Sequence, residues 1–251
     1  MTGVLAALDD TPAAGSVLAA ARQLAELLGV PCRAIHVQAD RDTPSSVIVD
    51  LHGIELRVVI GDATGEIVRA LEDPTVSIAV VGSRSRVDGS RPAGHIATAI
   101  MEHATKPVVV VPPDGGVVRP LQRILVPLEG STTSSESIVG PLGRLAEAGA
   151  TAVALHVFDA TTAPLFWDDV AHSRDCYADE FMSRWWSGPT MPEVRLRRGD
   201  PALALLDVAA RDDVDLIVLG WGQDLSGGHA RVVRTVLANA TVPVLLVPDC
   251  C

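Results

Sequence analysis

The chain has 251 residues, a formal net charge of −11 and a mean hydropathy of +0.30, and only 3% of its residues are aromatic. This composition predicts a folded chain with an aliphatic core and argues against extensive disorder. The acidic balance excludes nucleic acid and anionic membrane as default partners, because both are negatively charged.

The N-terminal residues, the apolar runs and the cysteines predict the cellular compartment. Acidic Asp9 and Asp10 follow an N-terminus without basic residues, so we expect no signal peptide. No apolar run is long enough to span a membrane. The cysteines match neither a zinc pattern nor a disulfide framework, so we predict no metal site and a cytoplasmic location. They are Cys32, Cys176, Cys250 and Cys251.

In chain order, the first half begins with an apolar strand at residues 4–8. Thr11 and Pro12 then predict the N-cap and first turn of a helix that ends at Gly29. Apolar residues at helical spacing give this helix one buried face. They are Val17, Leu18, Ala21, Leu24, Ala25 and Leu28.

The rest of the first half alternates strands with helices. A buried strand surrounds Ile35, a third strand ends at Ile60, and Asp62 is placed to cap the next helix. A continuous apolar strand at 78–81, a glycine-containing loop, a helix and the segment PVVVVP complete the series. Aliphatic strands separated by helices predict parallel βαβ units, and therefore an open, doubly wound sheet.

The same series recurs in the second half. The first strand starts at Val4 and again at Ile124 (124 − 4 = 120), whereas the fourth starts at Ile78 and again at Leu216 (216 − 78 = 138). The second half therefore carries an insertion of 18 residues (138 − 120). PVLLVP near its end matches PVVVVP. We predict two tandem domains, residues 1–113 and 121–251, joined by a linker rich in glycine and proline.

The insertion, near residues 160–190, holds nearly all the aromatic side chains. All three phenylalanines, the only tyrosine and three of the four tryptophans lie between residues 158 and 186. We predict a helix over residues 168–185 that packs on the sheet edge. The alternative is that its aromatic residues form a partner-binding surface or a lid over a ligand.

Topology alone indicates where a ligand would bind. In open α/β sheets the ligand lies at the carboxyl ends of the strands. In the first half these ends carry Asp9 and Asp10 after strand one, and Gly82 and Arg84 after strand four. The helix that begins near residue 94 offers backbone N–H groups to a phosphate. The alternative is that the arginines of this loop only solvate the surface.

Paired motifs resemble those of the universal stress protein family over nearly the whole chain, twice. They are ALDDT and PLEGS, AIHV and ALHV, IAVVGSRS and LIVLGWGQ, and PVVVVP and PVLLVP. The resemblance implies a Rossmann-like, adenine nucleotide alpha hydrolase-like fold with five parallel strands in each half. Family members commonly pair through their last strands, so residues 108–111 and 244–247 are expected to meet in an intramolecular pseudo-dimer.

The resemblance also implies ATP as the ligand, held by a loop of the form G-x2-G-x9-G-[S/T]. Here Gly82 matches the first glycine, Ser85 replaces the second, eight residues follow, and Gly94-His95 replaces Gly-Ser. Asp9 matches the acid that faces the nucleoside. The loop is therefore degenerate in the first half. The implied cofactor-binding residues are Asp9, Asp10, Val37, Gly82, Arg84, Ser85, Gly94, His95 and Ile96.

The second half departs further from the family loop. Glu129 replaces the aspartate, Gln223 stands at the second glycine, and Trp221 follows Gly220 closely enough to fill the pocket. We therefore predict that the second half does not bind ATP in the family manner. The Gly-Ser position falls on Ala230-Arg231, or on Gly228-His229 if the following helix is longer.

These residues predict a stress-response module for nucleotide sensing or protein interaction rather than an enzyme. No phosphate-binding P-loop, metalloprotease motif or paired nucleophile and base is present, and His36 and His156 are interpreted as buried histidines with satisfied hydrogen bonds. The alternatives are a slow ATP hydrolase, with Asp9 or His95 assisting water, and an interaction module without a ligand. The protein partner is unknown, and association into homodimers is left open.

Overall fold

In the computed structural model, described for residues 2–40, 50–83, 93–113, 120–129, 132–158, 171–186, 188, 191–226 and 230–249, seventeen helices and strands follow one another. The first half contains β1 (Gly3–Leu8), α1 (Ala14–Leu28), β2 (Cys32–Gln38), β3 (Glu55–Ile60), α2 (Ala63–Glu72), β4 (Val76–Gly82), α3 (His95–His103) and β5 (Val108–Val111). The second half contains β6 (Arg123–Pro127), α4 (Thr132–Glu147), β7 (Thr151–Phe158), α5 (Ala171–Trp185), β8 (Glu193–Arg198), α6 (Pro201–Arg211), β9 (Leu216–Trp221), α7 (Arg231–Asn239) and β10 (Val244–Pro248).

The ten strands form one sheet in the order β3-β2-β1-β4-β5-β10-β9-β6-β7-β8. All pairs within each half are parallel, and only β5 and β10 pair antiparallel. The predicted fold class is confirmed, with two five-stranded doubly wound halves. The division into domains at residues 113 and 121 stays a prediction.

The pairing of β5 with β10 also confirms the predicted pseudo-dimer. Val109 lies opposite Leu245, which is its own repeat equivalent (245 − 109 = 136). Val110 lies opposite Val244, and Val108 opposite Leu246. Equivalent residues meet in this way only around a two-fold axis, which passes through the seam between the two strands.

Helices cover both faces of the sheet, and the core on each face runs across the seam. One layer contains buried residues of α1, α4 and α5, and the other contains those of α2, α3, α6 and α7. The central strands are buried on both sides, which explains their continuous aliphatic sequences. None of the helices in the described ranges combines the length and hydrophobicity that crossing a bilayer requires.

The helix ends follow the sequence signals with one exception. Gly29 ends α1 in the left-handed conformation (φ 63°), and Asp62 accepts a hydrogen bond from the Gly65 backbone at 2.7 Å at the start of α2. The prediction that Thr11 caps α1 is wrong, since α1 begins at Ala14. Thr11 instead donates its hydroxyl and its backbone N–H to Asp9 Oδ1, so the hydroxyl serves a turn at the strand end.

Gln223 links the two halves beside the seam. Its backbone has φ 58°, and its side-chain Nε2 donates to the carbonyl of Ala104 at 2.7 Å, with Met101 O at 3.3 Å. These carbonyls belong to the C-terminal end of α3, where helical carbonyls have no partner within the helix. A residue of the second half therefore caps a helix of the first half.

Replacing Gln223 by Asn tests this cap. Asn tolerates the same backbone conformation but is too short to reach α3, so we expect a loss of about 1–2 kcal/mol in the free energy of unfolding in urea. Gln122→Asn makes the same chemical change at an exposed side chain, and its effect should stay below about 0.5 kcal/mol. Equal effects of the two substitutions would contradict the cap.

Candidate functional site

A cleft of about 350 Å³ opens at the carboxyl ends of β1, β2 and β4, between α2 and α3. Two predicted residues, Arg84 and Ser85, lie outside the described residues, as do the other arginines of that loop. The cleft brings together the seven others, which are Asp9, Asp10, Val37, Gly82, Gly94, His95 and Ile96. They come from four separate segments, and the parallel sheet places those segments at one edge.

The floor of the cleft is apolar. Ala7, Val37 and Val81 project from three neighbouring strands, and Ile67 of α2 and Ile100 of α3 close the sides. An aliphatic surface of this kind, with polar groups only at its rim, suits a flat, weakly polar group such as a heteroaromatic ring. The sequence predicted Val37 here but not the two isoleucines, which look like ordinary core residues of their helices.

The start of α3 forms one end of the cleft. Gly94 occupies the N-cap position, and no side chain caps the helix there in the described part of the chain. Among the described residues, no side chain occupies the first N–H groups of the helix, and the helix dipole adds a partial positive charge. His95 is exposed at this end and Ile96 is 39% exposed. This end of the cleft favours an anion.

The opposite end carries two carboxylates and a buried histidine. Asp9 is oriented by its bonds to Thr11, and Asp10 lies beside it with its Oδ1 3.7 Å from Nε2 of His36. His36 is only 3% exposed, and its Nδ1 lies 3.0 Å from the carbonyl oxygen of Leu8. The interpretation of His36 as fully satisfied is wrong, because Nε2 has no hydrogen-bond partner among the described residues.

The corresponding strand end of the second half carries a buried aromatic side chain. Trp221, at the position of Ser83 (221 − 138 = 83), is 4% exposed, and buried Leu225 joins it in the core layer under α6 and α7. Helix α7 begins at Arg231, with Ala230 at its N-cap. This start confirms the prediction that Ala230-Arg231 takes the Gly-Ser position of the family loop. Arg231 forms an ion pair with Asp200, across the N-terminal ends of the two helices.

Aromatic residues surround the second-half histidine. The imidazole of His156 lies 4.1 Å from the ring centre of Phe181 and 4.6 Å from that of Phe158. Phe158, Phe181 and the neighbouring Met182 are buried, and α5 packs over β8. This packing supports a core role for the inserted helix. Residues 159–170 and the Trp185 side chain lie outside the described part, so the alternative of an aromatic surface stays a prediction.

The environment of His156 predicts a dependence of stability on pH. Burial lowers the pKa of His156, although its bond to the Leu128 carbonyl at 2.7 Å raises it in part. The fold therefore favours neutral imidazole, and the unfolded chain takes up a proton near pH 6.5. This contribution to stability is present above the unfolded pKa and is lost as the pH falls below it.

We expect His156→Asn to lose less unfolding free energy than the wild type between about pH 7.5 and about pH 5.5, measured by urea denaturation. The absolute stability of the variant should be lower throughout, because packing against Phe181 is lost. His103→Asn, at an exposed histidine, serves as the control. Parallel pH profiles for wild type and His156→Asn would show that His156 is not the titrating group.

The fold and the cleft define a tandem, doubly wound α/β protein with pseudo-two-fold symmetry and an open strand-end cleft in its first half. A model of the universal stress protein family matches residues 120–248, about half of the chain. The chain belongs to the universal stress protein family. A search of the curated proteins gives no match.

Solved structures of the same size share the fold. A universal stress protein from Archaeoglobus fulgidus DSM 4304 covers 99% of this chain and 98% of its own, with a TM-score of 0.70 and 16% identity. A functionally unknown protein from Pseudomonas aeruginosa PAO1 covers 99% of this chain and 93% of its own, with a TM-score of 0.70 and 13% identity. At these identities the likeness concerns the fold alone.

Proposed function

We propose that this universal stress protein is a nucleotide-sensing module whose first half binds one adenine nucleotide and whose second half binds none. The observation that carries the proposal is the cleft between α2 and α3 at the carboxyl ends of β1, β2 and β4. It combines an apolar floor, a helix N-terminus without a side-chain cap and a group of hydrogen-bond acceptors at the opposite end. A nucleotide presents the complementary chemistry, with a flat base, a hydroxylated sugar and an anionic phosphate.

Charge fixes the direction in which the nucleotide lies. The phosphates belong at Gly94 and His95, where the helix dipole and free N–H groups favour negative charge. Asp9 and Asp10 would repel them, so this end takes the sugar and the base edge. The apolar residues of β2 and β4 then lie beneath the base. Arg84 and Ser85 complete the proposed set of binding residues, as the family resemblance implies.

In this proposed function the second half has a structural role and is not a second nucleotide site. Trp221 and Leu225 are buried in the core layer under α6 and α7, which supports a second half without room for a base, and Arg231 is paired with Asp200. Within the described ranges, no three side chains of His, Cys, Asp and Glu lie close enough together to hold a metal ion. We propose sensing without hydrolysis, in a reducing cytoplasm that matches the free thiols of Cys32 and Cys176.

Calorimetric titration with ATP and with AMP tests the proposal. We expect one binding site per chain. His95→Glu should weaken both ligands about tenfold or more, because it places a carboxylate where the phosphate lies. The helix itself should tolerate this change, since an acidic residue is favourable in a first helical turn. His103→Glu adds the same charge at the other end of α3 and should leave the affinity nearly unchanged.

Other results would favour other functions. Two equivalent sites per chain would show that the second half also binds. ATP turnover that His95→Glu abolishes would favour the hydrolase, and absence of binding would leave the interaction module. A bulky side chain at Gly82 is a poorer block, because a Cβ there would lie 3.2 Å from Cγ2 of Val17 in α1. Such a substitution would disturb the core rather than fill the cleft.

A further inference from the structure

The unpartnered nitrogen of His36 gives the cleft a chemical preference. A carbonyl oxygen can only accept a hydrogen bond, so Nδ1, 3.0 Å from Leu8 O, carries the ring proton. In the neutral imidazole Nε2 is then an acceptor. It is buried, it lines the cleft, and it has no hydrogen-bond partner in the part of the chain that the structure describes.

A buried acceptor without a donor is unfavourable, and a ligand that supplies the donor gains the corresponding free energy. The matching group must reach the strand-two end of the cleft, next to Asp10. Because a carboxylate oxygen is also an acceptor, this corner requires donors from the ligand and disfavours its acceptors. A phosphate, which offers mainly acceptor oxygens, does not fit here.

The spacing of the two acceptors discriminates between donor groups. Asp10 Oδ1 lies 3.7 Å from Nε2 of His36. An amino group directs its two N–H bonds about 120° apart, so with N···acceptor distances of about 2.9 Å its two acceptors lie about 5 Å apart. The two hydroxyls of a vicinal diol lie side by side. Each can donate to a separate acceptor, and the two acceptors are then closer together than those of an amino group. The observed spacing favours the diol.

We propose that Nε2 of His36 and the carboxylate of Asp10 together accept hydrogen bonds from the vicinal diol of a ribose, so that the cleft selects ribonucleotides over deoxyribonucleotides. This inference rests on the proposed function and specifies its ligand. His36 is a specificity-determining residue in this arrangement. A carboxylate has room for several hydrogen bonds, so other contacts of Asp10 do not prevent this one.

The second half supplies a matched control. His156 makes the same Nδ1 contact, with the carbonyl of Leu128, at the equivalent strand position. Its ring, however, is packed against Phe158 and Phe181. A substitution at His156 therefore changes the same type of hydrogen bond without touching the cleft, and it separates an effect on stability from an effect on ligand selection.

The experiment measures, by calorimetry on the full chain, the dissociation constants of AMP, 2′-deoxy-AMP and 3′-deoxy-AMP. The wild type should bind AMP about tenfold more tightly than at least one deoxy analogue. In His36→Asn the amide can still donate to Leu8 O, but nothing remains at the position of Nε2, so this preference should disappear. His36→Gln returns an amide oxygen near that position and should restore part of it. His156→Asn should keep the full preference.

Each contrary result has a distinct meaning. If the wild type binds AMP and both deoxy analogues equally, or if His36→Asn weakens all three equally, the diol inference is overturned while the nucleotide function stands. If AMP fails to bind but GMP binds and is preferred over 2′-deoxy-GMP, the adenine assignment fails and the diol inference stands. If neither ribonucleotide binds, both proposals fall. Circular dichroism and melting temperatures verify that each variant is folded.

Discussion

Backbone hydrogen bonds between β5 and β10 hold the two halves of this protein in one sheet. Without them, each half would expose an aliphatic edge strand, a feature that promotes aggregation. Their antiparallel pairing around Val109 and Leu245 creates the two-fold relation. As a result, the carboxyl ends of the strands in the two halves point in opposite directions. It also lets both core layers run across the seam, where Gln223 adds a polar link.

This pairing allows the two halves to diverge in sequence. The last strand of each half covers the edge strand of the other half, whether or not either half binds a ligand. The first half has Ser83 and Gly94 where the second has Trp221 and Ala230. Gly94 lines the first cleft, whereas the indole of Trp221 is buried in the core of the second half. We interpret this difference as packing in the second half in place of a strand-end cleft, in line with the proposal that only the first half binds a nucleotide.

The inserted helix α5 also makes the second half differ from the first in its packing. Phe181 and Met182 of α5 are buried on the α4 side of the sheet, beside β8. On the equivalent edge strand of the first half, Val58 and Ile60 are each 46% exposed. Burying an aliphatic or aromatic side chain contributes about 1.5–3 kcal/mol. The inserted helix therefore gives the second half an apolar packing layer at the sheet edge where the first half leaves aliphatic side chains exposed.

The sequence by itself determined the repeated elements, the caps at Gly29 and Asp62 and, through the family resemblance, the pairing of the last strands. The elements and caps depend on local periodicity and on a repeat that the chain displays directly, whereas the strand pairing was expected only from the resemblance. It could not determine that Thr11 turns toward Asp9, nor that His36 leaves one nitrogen unsatisfied inside the cleft. The direction of an imidazole depends on which distant carbonyl meets it, here one 28 residues away, and only the packed sheet decides that.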